Sequence, residues 1–423
     1  MSFKNRLFVA SAVLVATSSV AFGEMMDRPT GIKIGQRMTL RPYLAVSGAY
    51  DSNVEGGKDG CEEVTWVVNP GLSLDYLAES WSLTAGVWYQ YNAYSKGTSS
   101  AKNYHSYGED VTFKWSNSLP SERGWSLMLS EKYQVVNQID NFVDSIGHEY
   151  DRDRQEFTLA GVLQRRFTDR FHGAINGNYY WLDYKNNNSQ NRGYGLYGWD
   201  RWGVGAEIGY AFSNWTDLIL AGSYQDYRQQ NRKNNYYSGA RDYGESSGSH
   251  GYTVQAGLGS YATERIKYRV LGGWSTYTYD EGGKSSDGFT YSISANWRMS
   301  DTWNMMLLAS SYFQPTEREY GSSQRVDSLS WGIAHAMIQG KLNATFDVAY
   351  RREGREYAAV KSSYDYDLDI YTGRLGLTYI LNRYLQVFGN LEYRQSISEG
   401  NSSRGDHYDY DRFRGTLGLR LTY

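Results

Sequence analysis

Alternation of apolar and polar side chains along extended segments is the sequence feature that most constrains the fold of this chain. Over residues 413–423, Phe413, Leu417 and Leu419 lie on one parity, and Arg414 and Arg420 lie on the other. Successive side chains of a β-strand point to opposite faces of a sheet. The segment therefore predicts a strand with one apolar and one charged face, which suits a wall between hydrocarbon and water.

Similar segments follow one another from residue 39 onward, and the connections between them alternate in length. Tight polar turns at residues 78–80, 168–170 and 382–384 contrast with the long segments 138–154 and 231–250, which are rich in Gly, Ser, Asn and Tyr. Short turns at one end of the strands and long loops at the other are typical of transmembrane barrels. We predict an all-β fold, a transmembrane antiparallel up-and-down β-barrel of about 18 strands (16 in the alternative), with short periplasmic turns and long outer loops.

Aromatic residues are placed at both ends of the predicted strands. Trp81, Trp115 and Trp125 fall at the short-turn ends, and Tyr89 and Tyr133 fall towards the long-loop ends. Two aromatic belts around an apolar band are what the two interfaces of a bilayer favour. A soluble propeller or sandwich is the alternative for so many strands, but its closed core would not tolerate the charges on the opposite parity.

The N-terminal residues predict export from the cytoplasm. Lys4 and Arg6 precede an apolar run over residues 7–16, and small residues follow as far as Gly23. This order is that of a secretory signal peptide, so we predict a signal peptide over residues 1–23 and a barrel over residues 24–423. The apolar run is too short to be a membrane anchor of about 20 residues.

Charge and cysteine content exclude several classes of function. The chain carries 43 basic and 46 acidic residues, a net charge of −3, which argues against a nucleic-acid partner. Its single cysteine, Cys61, excludes an intramolecular disulfide and a multi-cysteine zinc site. We therefore expect neither a metal nor a cofactor. The six histidines are scattered and belong to no catalytic motif, so we expect no enzyme, with a barrel hydrolase as the remote alternative.

Two stretches resemble known outer-membrane proteins. Pro42-Tyr43, followed by residues 50–54 with the sequence Tyr-Asp-Ser-Asn-Val, resembles the opening of the Gram-negative β-barrel porin 2 family. The strand that ends on Tyr423 resembles the C-terminal strand of bacterial outer-membrane barrels, which the barrel assembly machinery reads and which usually ends in Phe. These resemblances imply a location in the outer membrane, with lipid, lipopolysaccharide and the assembly machinery as partners and Tyr423 as the assembly signal. They imply no particular solute, and nothing in the sequence identifies the interface of a homo-oligomer.

The parity opposite to the apolar band predicts the residues that line the lumen. The predicted pore-lining residues are Lys114, Lys132, Lys267, Arg269, Asp347, Arg351, Arg374, Glu392, Arg394, Arg414 and Arg420. The last strands carry most of the arginines and should form one wall. In one interpretation these charges pair and brace the barrel. In the other, the arginines bias a water-filled path towards anionic or hydrogen-bonding solutes.

These features predict a porin-like channel for passive diffusion of small hydrophilic solutes, with a leaning towards anions or sugars. Trp88, Tyr180 and Tyr277 have inward parity and could stack on sugar faces, or they could merely narrow the lumen. The alternative from another class is a component of polysaccharide export or surface binding, which would use the tyrosine-rich loops.

Overall fold

The computed structural model describes fourteen stretches of the chain. They are residues 31–54, 61–95, 103–117, 124–137, 153–184, 199–213, 215–229, 248–260, 265–279, 285–315, 323–338, 340–356, 366–400 and 409–423. The predicted signal peptide and most of the long connections lie outside these stretches. Within them, no helix is long and apolar enough to cross a membrane.

The described residues form one antiparallel sheet of 19 strands. The strands are β1 (Ile32–Ile34), β2 (Met38–Asp51), β3 (Glu63–Leu77), β4 (Trp81–Tyr94), β5 (Tyr104–Ser116), β6 (Trp125–Asn137), β7 (Asp153–Arg166), β8 (Phe171–Tyr184), β9 (Trp199–Ala211), β10 (Asp217–Gln229), β11 (Gly248–Ser260), β12 (Ile266–Tyr279), β13 (Ser286–Arg298), β14 (Trp303–Pro315), β15 (Ser323–Met337), β16 (Leu342–Glu356), β17 (Tyr366–Ile380), β18 (Leu385–Gly400) and β19 (Tyr410–Thr422). Strands β2 to β19 each pair with their chain neighbours.

The last strand closes the sheet into a barrel. Strand β19 pairs with β2 over Arg414–Thr422, so the ring from β2 to β19 is complete and has no free edge along its main length. The prediction of an eighteen-stranded up-and-down barrel is therefore confirmed. Closure satisfies the backbone hydrogen bonds of both terminal strands, which a sheet surrounded by hydrocarbon requires.

The outer surface of the barrel carries the apolar parity of each strand. Leu417 is 68% exposed, and Ile175, Val254 and Leu375 are exposed in the same way on distant strands. An aqueous protein would bury such side chains, but a bilayer solvates them. Aromatic rings lie at both ends of this band: Trp81 faces Trp115 across the β4–β5 pair at the short-turn end. At the other end the rings of Tyr350 and Tyr371 lie 5.1 Å apart.

The tyrosines at the long-loop end have carboxylate partners. The hydroxyl of Tyr350 donates to Asp369 at 2.7 Å, and that of Tyr393 donates to Asp411 at 3.1 Å. In each case the acid lies one step beyond the tyrosine towards the outer loops. The ring can thus lie against lipid while its hydroxyl reaches the polar headgroup region.

Two carboxylates interrupt the apolar band. Glu109 on β5 and Glu131 on β6 lie on the outward parity, one step inside Tyr107 and Tyr133 respectively. They are diagonal neighbours, because Glu131 is opposite Val111 and Glu109 is opposite Tyr133. Among the described outward-facing positions between the two aromatic belts, they are the only charged residues.

Strand β1 is the one element that the sequence did not predict. It pairs with the start of β2, Ile32 opposite Leu40 and Ile34 opposite Met38, through a turn in which Gly35 has φ of +67°. Further along β2, beyond its pairing with β1, the backbone N–H of Tyr423 donates to the carbonyl of Pro42 at 3.0 Å. Strand β1 therefore continues the line of β19 along the same edge of β2.

Candidate functional site

The predicted pore-lining residues all lie on the parity opposite to the exposed apolar band, and they therefore face the lumen. They are distributed as follows: Lys114 on β5, Lys132 on β6, Lys267 and Arg269 on β12, Asp347 and Arg351 on β16, Arg374 on β17, Glu392 and Arg394 on β18, and Arg414 and Arg420 on β19. Strand alternation fixes the side of the barrel for each residue once one position on its strand is known.

The last strands bring their charges together as a row of alternating sign. Asp347 is directly opposite Arg374, which is opposite Glu392, which is in turn opposite Arg414. Arg414 is opposite Asp51 on β2, so the row crosses the closing seam of the barrel. We call these five residues the charge ladder. Directly opposed residues in an antiparallel pair have Cβ atoms about 5 Å apart, so each charge has neighbours of opposite sign.

One pair of the ladder is in direct contact. The Nε of Arg374 lies 2.6 Å from Oε2 of Glu392, and the side chain of Arg374 is nevertheless 55% exposed to the lumen. The arginine is thus available to a solute while a carboxylate holds its orientation. Bracing of the wall and contact with solutes are compatible at this position.

Contacts across the seam between β2 and β19 come from Asp51, Ser52 and Asn53. These residues belong to the motif at residues 50–54, and the sequence predicted no role for them. Arg412 donates from Nε to both oxygens of Asp51, at 2.9 and 3.0 Å, and this pair is buried. The backbone N–H of Ser52 donates to the carbonyl of Phe413 at 2.9 Å, and Asn53 Nδ2 donates to the carbonyl of Asp411 at 3.2 Å. The motif at residues 50–54 thus helps to join the first and last strands of the barrel at their outer ends.

Four predicted residues of the lumen, Lys267 among them, lie away from this wall. Lys132 is opposite Asp110 across the β5–β6 pair, with Lys114 towards the periplasmic end of β5. Arg269 on β12 forms an ion pair with Glu207 on β9, across the two intervening strands β10 and β11. The basic residues therefore form separate groups around the lumen.

Glycines let inward aromatic rings lie flat on a neighbouring strand. A Cβ at Gly71 would overlap the ring of Tyr43, which lies across it from β2. The guanidinium of Arg420 sits 4.4 Å above the centre of the same ring. Trp88 covers Gly108 in a similar way. These two rings therefore lie against the inner surface of the sheet.

Access to the lumenal side chains differs along the barrel. At the outer ends of the strands, Glu353, Leu368, Tyr410 and Arg412 are all buried, and Arg412 is only 5% exposed. In the middle and towards the periplasmic end, Arg374 and Arg420 are exposed. The accessible charges of the ladder region therefore lie away from the outer end of the lumen.

Two of the three inward aromatics singled out from the sequence contact a residue on the neighbouring strand. The ring centroid of Tyr180 lies 4.7 Å from that of Trp199, and Tyr277 shares a hydrogen bond of 2.6 Å with Ser249.

No group of three or more His, Cys, Asp or Glu residues that could hold a metal ion occurs in the described part of the chain. Cys61 is in no disulfide, and its Sγ lies 3.7 Å from the carbonyl oxygen of Glu62.

Comparison with known proteins gives a family and a set of distant structural likenesses. A sequence model of the family described as "Putative beta-barrel porin 2" matches residues 28–423. No curated protein matches the sequence.

Among solved structures, the siderophore receptor PirA from Pseudomonas aeruginosa is similar at 8% identity, with a TM-score of 0.43 over 94% of this chain and 81% of that one. The FrpB iron transporter from Neisseria meningitidis is similar at 7% identity, with a TM-score of 0.47 over 92% of this chain and 82% of that one. The outer membrane protein opdK from P. aeruginosa is similar at 12% identity, with a TM-score of 0.43 over 91% of this chain and 99% of that one.

Proposed function

This chain belongs to the β-barrel porin family described as "Putative beta-barrel porin 2", and from that membership we propose that it is a passive channel for small hydrophilic solutes in the outer membrane. Eight-stranded barrels are filled by their own side chains, whereas about sixteen to eighteen strands leave room for an aqueous path. The observation that carries the proposal is the closed ring from β2 to β19 with charged and polar side chains on its inner face.

The proposal assigns the selectivity of the channel to the lumenal charges. Arg374, Arg414 and Arg420 would attract anions and hydrogen-bonding groups, while Asp347 and Glu392 keep the arginines apart and oriented. The remaining pore-lining residues, Lys114, Lys132, Lys267, Arg269, Arg351 and Arg394, would set the potential elsewhere along the path. A solute that carries hydroxyls and one negative charge fits such a surface better than a cation does.

The rest of the proposal concerns location and partners. Residues 1–23 would direct export and be removed, and Tyr423 would mark the terminal strand for the barrel assembly machinery. Lipid and lipopolysaccharide would surround the apolar band. The channel would perform no reaction, since passive diffusion needs only a path of suitable radius and charge.

Planar-bilayer recording of the purified, refolded protein tests the proposal. We expect stepwise open-channel currents in KCl and faster liposome swelling with small sugars and amino acids than with trisaccharides. The same protein left unfolded in denaturant, at the same dose, is the control. Absence of channel current from folded protein at every salt concentration and voltage would refute the channel and favour a role in polysaccharide export or surface binding.

A further inference from the structure

Arg201 on β9 faces the lumen between two tyrosines. Tyr180 on β8 is directly opposite it on one side, and Tyr227 on β10 is directly opposite it on the other. Because the three residues share one inward-facing row, their side chains rise from the wall together. Arg201 is only partly buried as a residue, whereas its Nε is covered.

Aromatic rings surround this arginine. Trp199 lies 4.7 Å from the ring of Tyr180 and 5.0 Å from that of Tyr227, which places the indole between the two phenols. Leu182 is buried beneath Tyr180 and Trp199 and supports both rings. Tyr277 on β12 and Tyr312 on β14 lie near enough to act electrostatically on Arg201. We call Arg201, Trp199, Tyr180 and Tyr227 the arginine box.

The arginine box lacks the carboxylate partner that several other lumenal arginines have. Arg412 pairs with Asp51, Arg269 with Glu207 and Arg351 with Glu353. Within the described part of the chain, no carboxylate pairs with Arg201, its Nε has no hydrogen-bond partner, and neither has the indole Nε1 of Trp199. A covered cation and a covered donor without partners cost free energy that an arriving acceptor can recover.

We propose that the arginine box binds a carboxylate that is carried on a ring. The guanidinium is the group best suited to hold a carboxylate through paired N–H donors, and the indole N–H supplies a further donor beside it. Flat aromatic walls on both sides suit the face of a sugar or aromatic ring. A sugar acid and an aromatic acid share this chemistry. The assignment rests on the proposed channel only in that the ligand reaches the box through the lumen.

Calorimetric titration of the detergent-folded protein tests the assignment with four probes. Glucuronate and benzoate carry both a ring and a carboxylate, glucose carries only the ring, and acetate carries only the charge. We expect at least one ring acid to bind at least about tenfold more tightly than glucose, which has no carboxylate for the guanidinium, and than acetate, which has no ring for the aromatic walls. A preference for glucuronate or for benzoate then shows whether the arginine box binds sugar acids or aromatic acids.

Variants locate the binding on the box itself. Arg201→Gln should weaken binding of the preferred acid by about 10- to 100-fold, and Arg201→Lys should weaken it less. Trp199→Phe should also weaken binding, because it removes the indole N–H donor while it keeps an aromatic ring at this position. The matched control is Arg228→Gln, an exposed arginine on the neighbouring strand β10 that faces outward and pairs with Asp226. The gel shift between heated and unheated protein reports whether each variant is folded.

The outcomes separate this inference from the channel proposal. Loss of binding in folded Arg201→Gln, with binding kept in Arg228→Gln, supports the box whether or not the protein conducts. If the wild-type protein conducts but binds neither ring acid, or if Arg201→Gln binds as the wild type does, the arginine box is refuted and the channel stands. If it binds but does not conduct, the channel proposal fails and the box stands.

Discussion

Arg374 and Glu392 face each other across the β17–β18 pair, with Nε of the arginine 2.6 Å from Oε2 of the glutamate. The same register continues to Arg414 on β19 and to Asp51 on β2, so the ladder joins the last strands to the first. Each arginine of the ladder thus lies between acids on the two neighbouring strands and still faces the lumen. One arrangement can therefore brace the wall and, under the proposed function, present arginines to a solute.

Reversal of the ladder's positive charges should change the ion preference of the channel. With Arg374→Glu and Arg414→Glu together, five acidic positions would follow one another across five strands, and the lumen should favour K⁺ over Cl⁻ severalfold more than in the wild type. The measurement is the reversal potential in a KCl gradient across a planar bilayer. Arg325→Glu, on the outward parity of β15, is the control. Unchanged selectivity in a folded double variant would remove the ladder from the conduction path.

The Asp51–Arg412 pair should contribute strongly to the stability of the closed barrel. Asp51→Ala removes the carboxylate that the buried guanidinium of Arg412 contacts, and we expect a loss of about 3–5 kcal/mol in the free energy of unfolding. Replacing both residues by Leu should restore much of that loss, because no uncompensated charge remains.

Urea unfolding in lipid vesicles, followed by tryptophan fluorescence, measures these differences. The control is Arg298→Ala, whose partner Asp301 is almost fully exposed, and this change should cost less than about 1 kcal/mol. If Asp51→Ala costs no more than Arg298→Ala, the pair does not fasten the seam.

The sequence predicts the side of the barrel for a residue far better than it predicts the residue's partner. Parity along β17 places Arg374 in the lumen without any knowledge of the neighbouring strands, because every second side chain shares a face. The contact with Glu392 depends on the register between β17 and β18, and a shift of two residues would keep the parity and lose the pair. The bond between Asp51 and Arg412 joins opposite ends of the chain, which no local pattern can anticipate.

The sequence predicted neither the position of Trp199 in the lumen nor strand β1, because local composition does not show where these two strands begin and end. The strand that carries the arginine box begins at Trp199, whereas the composition of residues 186–200 indicates a loop up to Asp200. Neither Trp199 nor Arg201 is therefore among the predicted pore-lining residues. Strand β1 has only three residues and forms because the edge of β2 below Tyr423 offers unpaired backbone groups.

The two outward-facing glutamates should destabilise the barrel in a lipid environment. Glu109→Leu with Glu131→Leu should raise the free energy of unfolding by about 1–2 kcal/mol in vesicles, since acidic side chains against hydrocarbon cost less than basic ones but are still unfavourable. The matched control is Glu399→Leu, an exposed outward-parity residue near the outer end of β18. The measurement is urea unfolding in vesicles, compared between the variants. A double variant that is less stable than the wild type would show that the glutamates have favourable partners on this surface.

The covering of Gly71 by Tyr43 should make this glycine intolerant of any side chain. Gly71→Ala places a Cβ inside the volume of the phenol ring, so the ring or the strand must shift, and we expect a loss of about 1–3 kcal/mol in the free energy of unfolding. The cost should largely disappear in a Tyr43→Ala background, where the Cβ finds open space. Gly373→Ala on β17 is the matched control, because a Cβ there meets no atom within 4 Å. Equal costs for Gly71→Ala with and without Tyr43, measured by urea unfolding in vesicles, would show that the glycine is required by the backbone and that the ring is not the cause.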